Sequence, residues 1–186
     1  MLQIVIQGRG GQGAQTAGNL LAAAFFAAGR QVQCFASYGG ARRGTPVSSY
    51  LRVDDRPIRV RCELTTTTVA GVAVARKAPA SSVASKHRMA SARSMSQRSA
   101  GELARTLPGL HLVPVDGLAI ARRHGLGRIV NSALLGAFAR AIGAMDLPML
   151  ETTLRERAPK LKDANVAACE EGWRCADAQL RTEVAS

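Results

Sequence analysis

The chain opens with the apolar run Leu2-Gln3-Ile4-Val5-Ile6 and then reaches a glycine cluster, Gly8-Arg9-Gly10-Gly11-Gln12-Gly13. Behind it Ala17, Leu20, Leu21, Ala24, Phe25 and Ala28 recur at helical spacing, and Gly29 is placed to end that helix. The pattern changes to alternation in Gln31-Val32-Gln33-Cys34-Phe35, which predicts a second strand and a right-handed β-α-β unit. A polar loop, Ser37–Pro46, follows. Val47–Val53 and Ile58–Cys62 read as two further strands, joined as a hairpin at Asp54-Asp55-Arg56-Pro57. Late in the chain Leu112–Val115 predicts a strand, Gly117–His124 a short helix ended by Gly125, and Asn131–Ile142 an apolar helix stopped by Gly143. Asp146 is placed as an N-cap with Pro148 in the first turn and Glu151/Arg155 as an i,i+4 pair. Lys162–Leu180 predicts a last amphipathic helix with Trp173 on its buried side.

This order predicts an α/β fold: a Rossmann-like, open, mostly parallel sheet with helices on both faces and a β-hairpin. At 186 residues, one domain over 1–180 with a short tail at 181–186 fits the length. The stretch Thr65–Ala100 breaks the pattern. It holds no Leu, Ile, Phe, Tyr or Trp, seven serines fall between Ser81 and Ser99, and neither period is sustained. Such a composition predicts low order and no buried strand of a parallel sheet. Two readings stand: an irregular insertion, or residues translated out of frame between two compensating slips.

Charge changes the picture less than its size suggests. A net charge of +12 points toward nucleic acid, yet six of the cations (Arg76, Lys77, Lys86, Arg88, Arg93 and Arg98) lie between Leu64 and Gly101, where there is no acid and no aromatic residue. A base-stacking surface is not available there, so nucleic acid is not the expected partner. No apolar run approaches the ~18 residues that span a bilayer, and the expected setting is soluble and cytoplasmic. Cys34, Cys62, Cys169 and Cys175 form no C-x2-C unit, so reduced, packed thiols are expected rather than a metal site.

Gly8, Gly10 and Gly13 form a G-x-G-x-x-G element with a strand before and a helix after, the setting in which backbone N–H groups and a helix dipole receive an anion. A dinucleotide site also needs an acid near the end of the second strand. Here that strand ends Cys34-Phe35-Ala36-Ser37, so a nicotinamide cofactor is not indicated. In a doubly wound sheet the loop Ser37–Pro46 would lie beside the glycine turn, which makes Tyr38, Gly39, Arg42, Arg43 and Gly44 candidates for a phosphate or an acidic surface. His87, His111 and His124 show no ligand or nucleophile spacing, and no Ser/His/Asp grouping or carboxylate pair stands out. No catalytic or metal-binding residue is assigned.

Together these segments resemble the gamma subunit, or gamma domain, of the 2-oxoacid:ferredoxin oxidoreductases. The resemblance rests on Gly8–Gly13 with Thr16-Ala17, on Phe35–Gly39 and Arg42–Val47, on Arg52–Ile58, on Ile129–Ala137 and on the tail from Leu147 through Asn165. It covers about residues 1–63 and 101–178. It implies a subunit of an enzyme that oxidatively decarboxylates pyruvate or a related 2-oxoacid to the acyl-CoA and passes electrons to ferredoxin. The resemblance further implies alpha, beta and delta-type partners that carry thiamine diphosphate, Mg and iron–sulfur clusters, with coenzyme A as a substrate. The gamma piece would cover the active site and help bind coenzyme A through Gly8, Gly10, Gly11, Gln12, Gly13, Tyr38, Gly39, Arg42, Arg43, Gly44 and Asn131. An indolepyruvate, 2-oxoglutarate or branched-chain enzyme, and a nucleotide-binding regulatory or assembly module without catalytic role, are the alternatives.

Overall fold

Alternating apolar residues and a glycine-delimited helix fold as expected at the N-terminus, but the strands around them are arranged differently. The computed structural model describes residues 1–11, 13–40, 45–60, 69–73, 90–94 and 111–184. Strands β1 (Leu2–Arg9), β2 (Gln31–Tyr38), β3 (Pro46–Asp54), β4 (Val69–Ala73), β5 (Ala90–Ser94) and β6 (His111–Val115) form one sheet in the order β2-β3-β1-β4-β5-β6. β3 pairs antiparallel with both β1 and β2. The pairings β1–β4, β4–β5 and β5–β6 are parallel.

The sheet is therefore mixed: β3 runs antiparallel to both of its neighbours, and the other three pairings are parallel. β2 runs in the same direction as β1 without being its neighbour, because β3 lies between them. The hairpin also moves. It joins β2 to β3 through residues 39–45, whereas the chain beyond Asp54 leaves the ladder and Ile58–Val60 is not a strand. Asp54 Oδ1 accepts from the N–H groups of Asp55 (2.8 Å) and Arg56 (3.2 Å), which closes the strand with an Asx-type turn instead of a hairpin.

β4 and β5 both come from the stretch 65–100, contrary to the expectation that it supplies no strand. Val69–Val72 pair with Ile4–Gln7 in the manner of a parallel ladder, and Ala90–Ser94 pair with His111–Val115. Ladder bonds are made by the backbone, which a small-residue sequence supplies as well as any other. The rest of that stretch lies outside the described residues.

Five helices are described: α1 (Ala14–Ala27), α2 (Gly117–Arg123), α3 (Asn131–Ile142), α4 (Leu147–Arg157) and α5 (Lys162–Val184). α1 packs on β1, β2 and β3, α3 packs on β4, β5 and β6, and α1 and α3 touch each other, so these helices share one face of the sheet. Ala17, Leu20, Leu21, Ala24 and Phe25 of α1 meet Ile4, Ile6, Val47, Leu51 and Val53 in one core cluster, and Trp173 packs against it. Val113, Val115, Ile120, Ala133, Ala137, Ala168 and Ala176 form a second. Phe25, Leu21, Leu51 and Val53 are each buried, at about 1.5–3 kcal/mol apiece relative to exposure.

Gly143 ends α3 at φ 61 and Gly29 follows α1 at φ 77, both left-handed positions that favour glycine. Asp116 caps α2, accepting from Leu118 N (3.1 Å) and Ala119 N (2.9 Å). Asp146 precedes α4 but makes no side-chain cap bond, and the Glu151–Arg155 pair is loose at 3.9 Å.

Candidate functional site

The strand β1 delivers the glycine turn to the end of the sheet where the β2–β3 hairpin also closes. Gly8 stands opposite Val47 and Arg9 opposite Pro46. The Gly10 N–H donates to Thr45 O at 2.9 Å, and the Gly39 N–H donates to Pro46 O at 2.9 Å. Thr45 Oγ1 donates to Gly40 O at 3.1 Å, and the Tyr38 hydroxyl donates to Gln15 Oε1 in the first turn of α1. The two loops expected to be neighbours are thus bonded to each other. One detail is corrected: the Gly10 N–H is occupied by Thr45 and does not point to a ligand. Gln12, Arg42, Arg43 and Gly44 lie outside the described residues.

Asn131, at the first position of α3, meets Gly13 directly. Gly13 adopts φ 77, and a Cβ there would overlap the Asn131 carboxamide, with its Cγ at 2.9 Å and its Oδ1 at 3.0 Å. A side chain there is strained in its backbone and must displace the Asn131 carboxamide. Asn131 Oδ1 is buried, and among the described residues it has no hydrogen-bond partner. A buried acceptor left unpaired costs about 1–3 kcal/mol, a deficit that a water molecule or a ligand donor would remove.

Two helix N-termini converge at this contact. Neither Gly13 before α1 nor Val130 before α3 offers a side-chain cap, and neither helix has an acid in its first turn. Uncapped first turns leave N–H groups to be satisfied and carry a partial positive charge, the arrangement that receives anions. The arrangement sets two positive helix ends and one carboxamide beside each other.

Sequence reasoning missed three supports of this site. Gly18 lets α1 approach β3, since a Cβ there would overlap the Ser49 side chain, with Ser49 Cβ at 3.0 Å. Its signal was present as a glycine in mid-helix, which costs about 1 kcal/mol and asks for a packing reason. Ser132 and Asn165, both buried, are joined by a 2.6 Å bond from the serine hydroxyl to Asn165 Oδ1. No local pattern announces a pair 33 positions apart.

Other candidate chemistry is structural. His124 Nε2 lies 2.6 Å from Glu171 Oε2, and Arg123 Nε donates to Glu171 Oε1 at 2.9 Å. These contacts, Arg123 first, hold the Glu171 carboxyl below its ordinary range. Arg140 likewise holds Asp177 low, through a 2.7 Å bond. Burial pushes the Cys34 thiol up, and a contact with Ser49 at 3.8 Å only partly offsets it. Cys169 is pushed up still more strongly by burial. Both shifts disfavour the thiolate. Among the described residues no cluster of His, Cys, Asp and Glu could hold a metal, and no helix is long and apolar enough to cross a membrane. A hollow of about 520 Å³ lies along Gln31–Phe35 beside Pro57 and Ile58, away from the glycine turn.

Residues 3–175 match the family described as pyruvate ferredoxin/flavodoxin oxidoreductase. The chain is 35% identical to the pyruvate/ketoisovalerate oxidoreductases common subunit gamma of Thermococcus kodakarensis, over 93% of this chain and 96% of that one. Among solved structures it resembles pyruvate oxidoreductase subunit PORC from Thermotoga maritima, with a TM-score of 0.78, 26% identity and coverage of 93% of this chain and 95% of that chain. It also superposes on part of a 2-oxoglutarate:ferredoxin oxidoreductase from Magnetococcus marinus solved with 2-oxoglutarate, coenzyme A and succinyl-CoA. There the TM-score is 0.77 at 19% identity, with 95% of this chain and 31% of that chain covered.

Proposed function

The chain belongs to the pyruvate ferredoxin/flavodoxin oxidoreductase family as a gamma-type subunit of a 2-oxoacid oxidoreductase complex, and on that footing we propose that it binds coenzyme A and covers the active site of that complex. The complex decarboxylates pyruvate or a related 2-oxoacid, joins the acyl group to coenzyme A and passes the two electrons to ferredoxin. Thiamine diphosphate with Mg, and iron–sulfur clusters, supply that chemistry from alpha, beta and delta-type partner subunits.

The observation that carries the reading is the meeting of two uncapped helix N-termini at Gly13 and Asn131, with Asn131 Oδ1 buried and unpaired. Coenzyme A is suited to it on both counts. Its phosphates match the positive helix ends, and its amide N–H and hydroxyl groups can donate to Asn131 Oδ1. This reading assigns Gly8, Gly11, Gly13, Tyr38 and Gly39 to the coenzyme A site, together with Arg42, Arg43 and Gly44, which lie outside the described residues. The coenzyme A named for the Magnetococcus enzyme supports the ligand class.

Replacing Arg42 and Arg43 together by alanine should raise the KM for coenzyme A more than about tenfold in the assembled complex, since two charge-assisted contacts to phosphate are lost. An unchanged KM in a correctly assembled complex would overturn their role.

A further inference from the structure

Asn131 must be held in place for the crevice to work, yet its own helix start is not capped. The residue beside it is tied down instead. The Ser132 hydroxyl, 2% exposed, donates to Asn165 Oδ1 at 2.6 Å, and Asn165 is 5% exposed. Asn165 is in turn fixed by two donations from its Nδ2, to Lys160 O at 2.8 Å and to Leu161 O at 2.9 Å. Its own N–H also bonds Leu161 O, at 3.0 Å. The Asn165 carboxamide therefore makes a bond on each side, one to α3 and two to the turn that leads into α5.

That turn is strained. Leu161 adopts φ 50 and is the one non-glycine residue with a positive φ among the described residues, at a cost of order 1 kcal/mol or more. It is also 56% exposed, so packing of its side chain does not explain the conformation. The two Asn165 donations do, since both carbonyls they hold flank that torsion.

We propose that Ser132 and Asn165 are positioning residues for coenzyme A binding: their buried hydrogen bond anchors the first turn of α3 to the start of α5 and so sets the Asn131 carboxamide against Gly13. The inference rests on the reading of the Gly13–Asn131 crevice as a coenzyme A site. Without the serine hydroxyl, Asn165 Oδ1 is left buried and unpaired, and the first turn of α3 has lost its tie. Asn131 then samples positions that the ligand must reselect, which weakens binding without touching the reacting atoms.

The test is a double-mutant cycle in the complete oxidoreductase purified with its partner subunits, with steady-state constants for coenzyme A and for the 2-oxoacid. Ser132→Ala should raise the KM for coenzyme A about three- to tenfold while the KM for the 2-oxoacid holds and kcat falls less than the KM rises. Ser132→Thr, which keeps the hydroxyl, should restore most of the affinity. In an Asn131→Ala background, Ser132→Ala should have little further effect, because the two act through one contact. A Ser132→Ala effect of the same size in both backgrounds overturns the positioning role and leaves the crevice reading intact. An Asn131→Ala enzyme with an unchanged KM for coenzyme A overturns the crevice reading itself, and the positioning role with it.

Discussion

Helix α3 touches glycine in two places, and the two contacts are of different kinds. At its start the Asn131 side chain lies against Gly13, polar, partly buried and with one acceptor unpaired. In its middle, Gly136 and α5's Gly172 face each other's helix so closely that a Cβ on Gly136 would overlap the Cys169 carbonyl, its carbon at 2.7 Å. A Cβ on Gly172 would overlap that of Ala133, its carbon at 2.8 Å. Both contacts require glycine. The second is complete, since backbone meets backbone across apolar neighbours. The first is incomplete, since it leaves a buried oxygen waiting. A close approach that satisfies itself is architecture, and one that leaves a polar group unsatisfied leaves a bond for a water or a ligand to make.

The sharpest way to break this contrast is at the helix pair. Gly136→Val or Gly172→Val should abolish soluble folded protein, and Gly172→Ala should cost about 3 kcal/mol or more, because a backbone carbonyl cannot swing away as a side chain can. Chemical denaturation of the purified variants reads this directly. Gly13→Ala should cost less stability, about 1–2 kcal/mol from its left-handed backbone, but should raise the KM for coenzyme A at least several-fold by displacing Asn131. Gly29→Ala separates the two causes: it has the same φ of 77 with nothing near its Cβ, so it should lose similar stability and no affinity.

The smallest effect concerns the ion pair at Glu171, the residue before Gly172. Arg123 and His124 hold the Glu171 carboxyl below its ordinary range. A depressed carboxylate stabilises the fold above its unfolded-state pKa, and that contribution fades as pH falls through the lower native value. Stability of the chain should therefore drop on the acid side of the ordinary carboxylate range. Glu171→Gln should flatten that drop slightly and leave the neutral-pH KM for coenzyme A unchanged. Thermal denaturation followed from neutral to acid pH checks it.

Much of the fold was legible because the local pattern decided it. Ala17, Leu20, Leu21 and Phe25 mark the buried side of α1, and Gly29 and Gly143 stand just past their helices in the left-handed form. Strand neighbours were not legible. The residues Val47–Val53 say that β3 is a strand, but not that it inserts between β1 and β2. The turn residues Asp54–Pro57 do stop a strand, as read, yet they start no hairpin, because an Asx turn ends a ladder equally well.

The site divides the same way. The pairing of the glycine turn with the 39–45 loop followed from topology and is visible in the Gly10–Thr45 bond. Asn131 entered through a resemblance to a family motif, and the structure adds its contact with Gly13. Ser132–Asn165 and Gly18–Ser49 were invisible because each joins residues far apart in sequence through side chains of common type.

The interlocked glycines of α3 and α5 also act as a gauge. With carbonyls seated against Gly136 and Gly172, a side chain at either position would push the two helices apart. Asn131 sits five residues upstream, ~7.5 Å along the same helix. The glycine contact holds the body of α3 and the Ser132–Asn165 bond holds its first turn, so the place of Asn131 is set as the chain folds. One jaw of the crevice is preset, and the entropy of holding it is spent before binding begins.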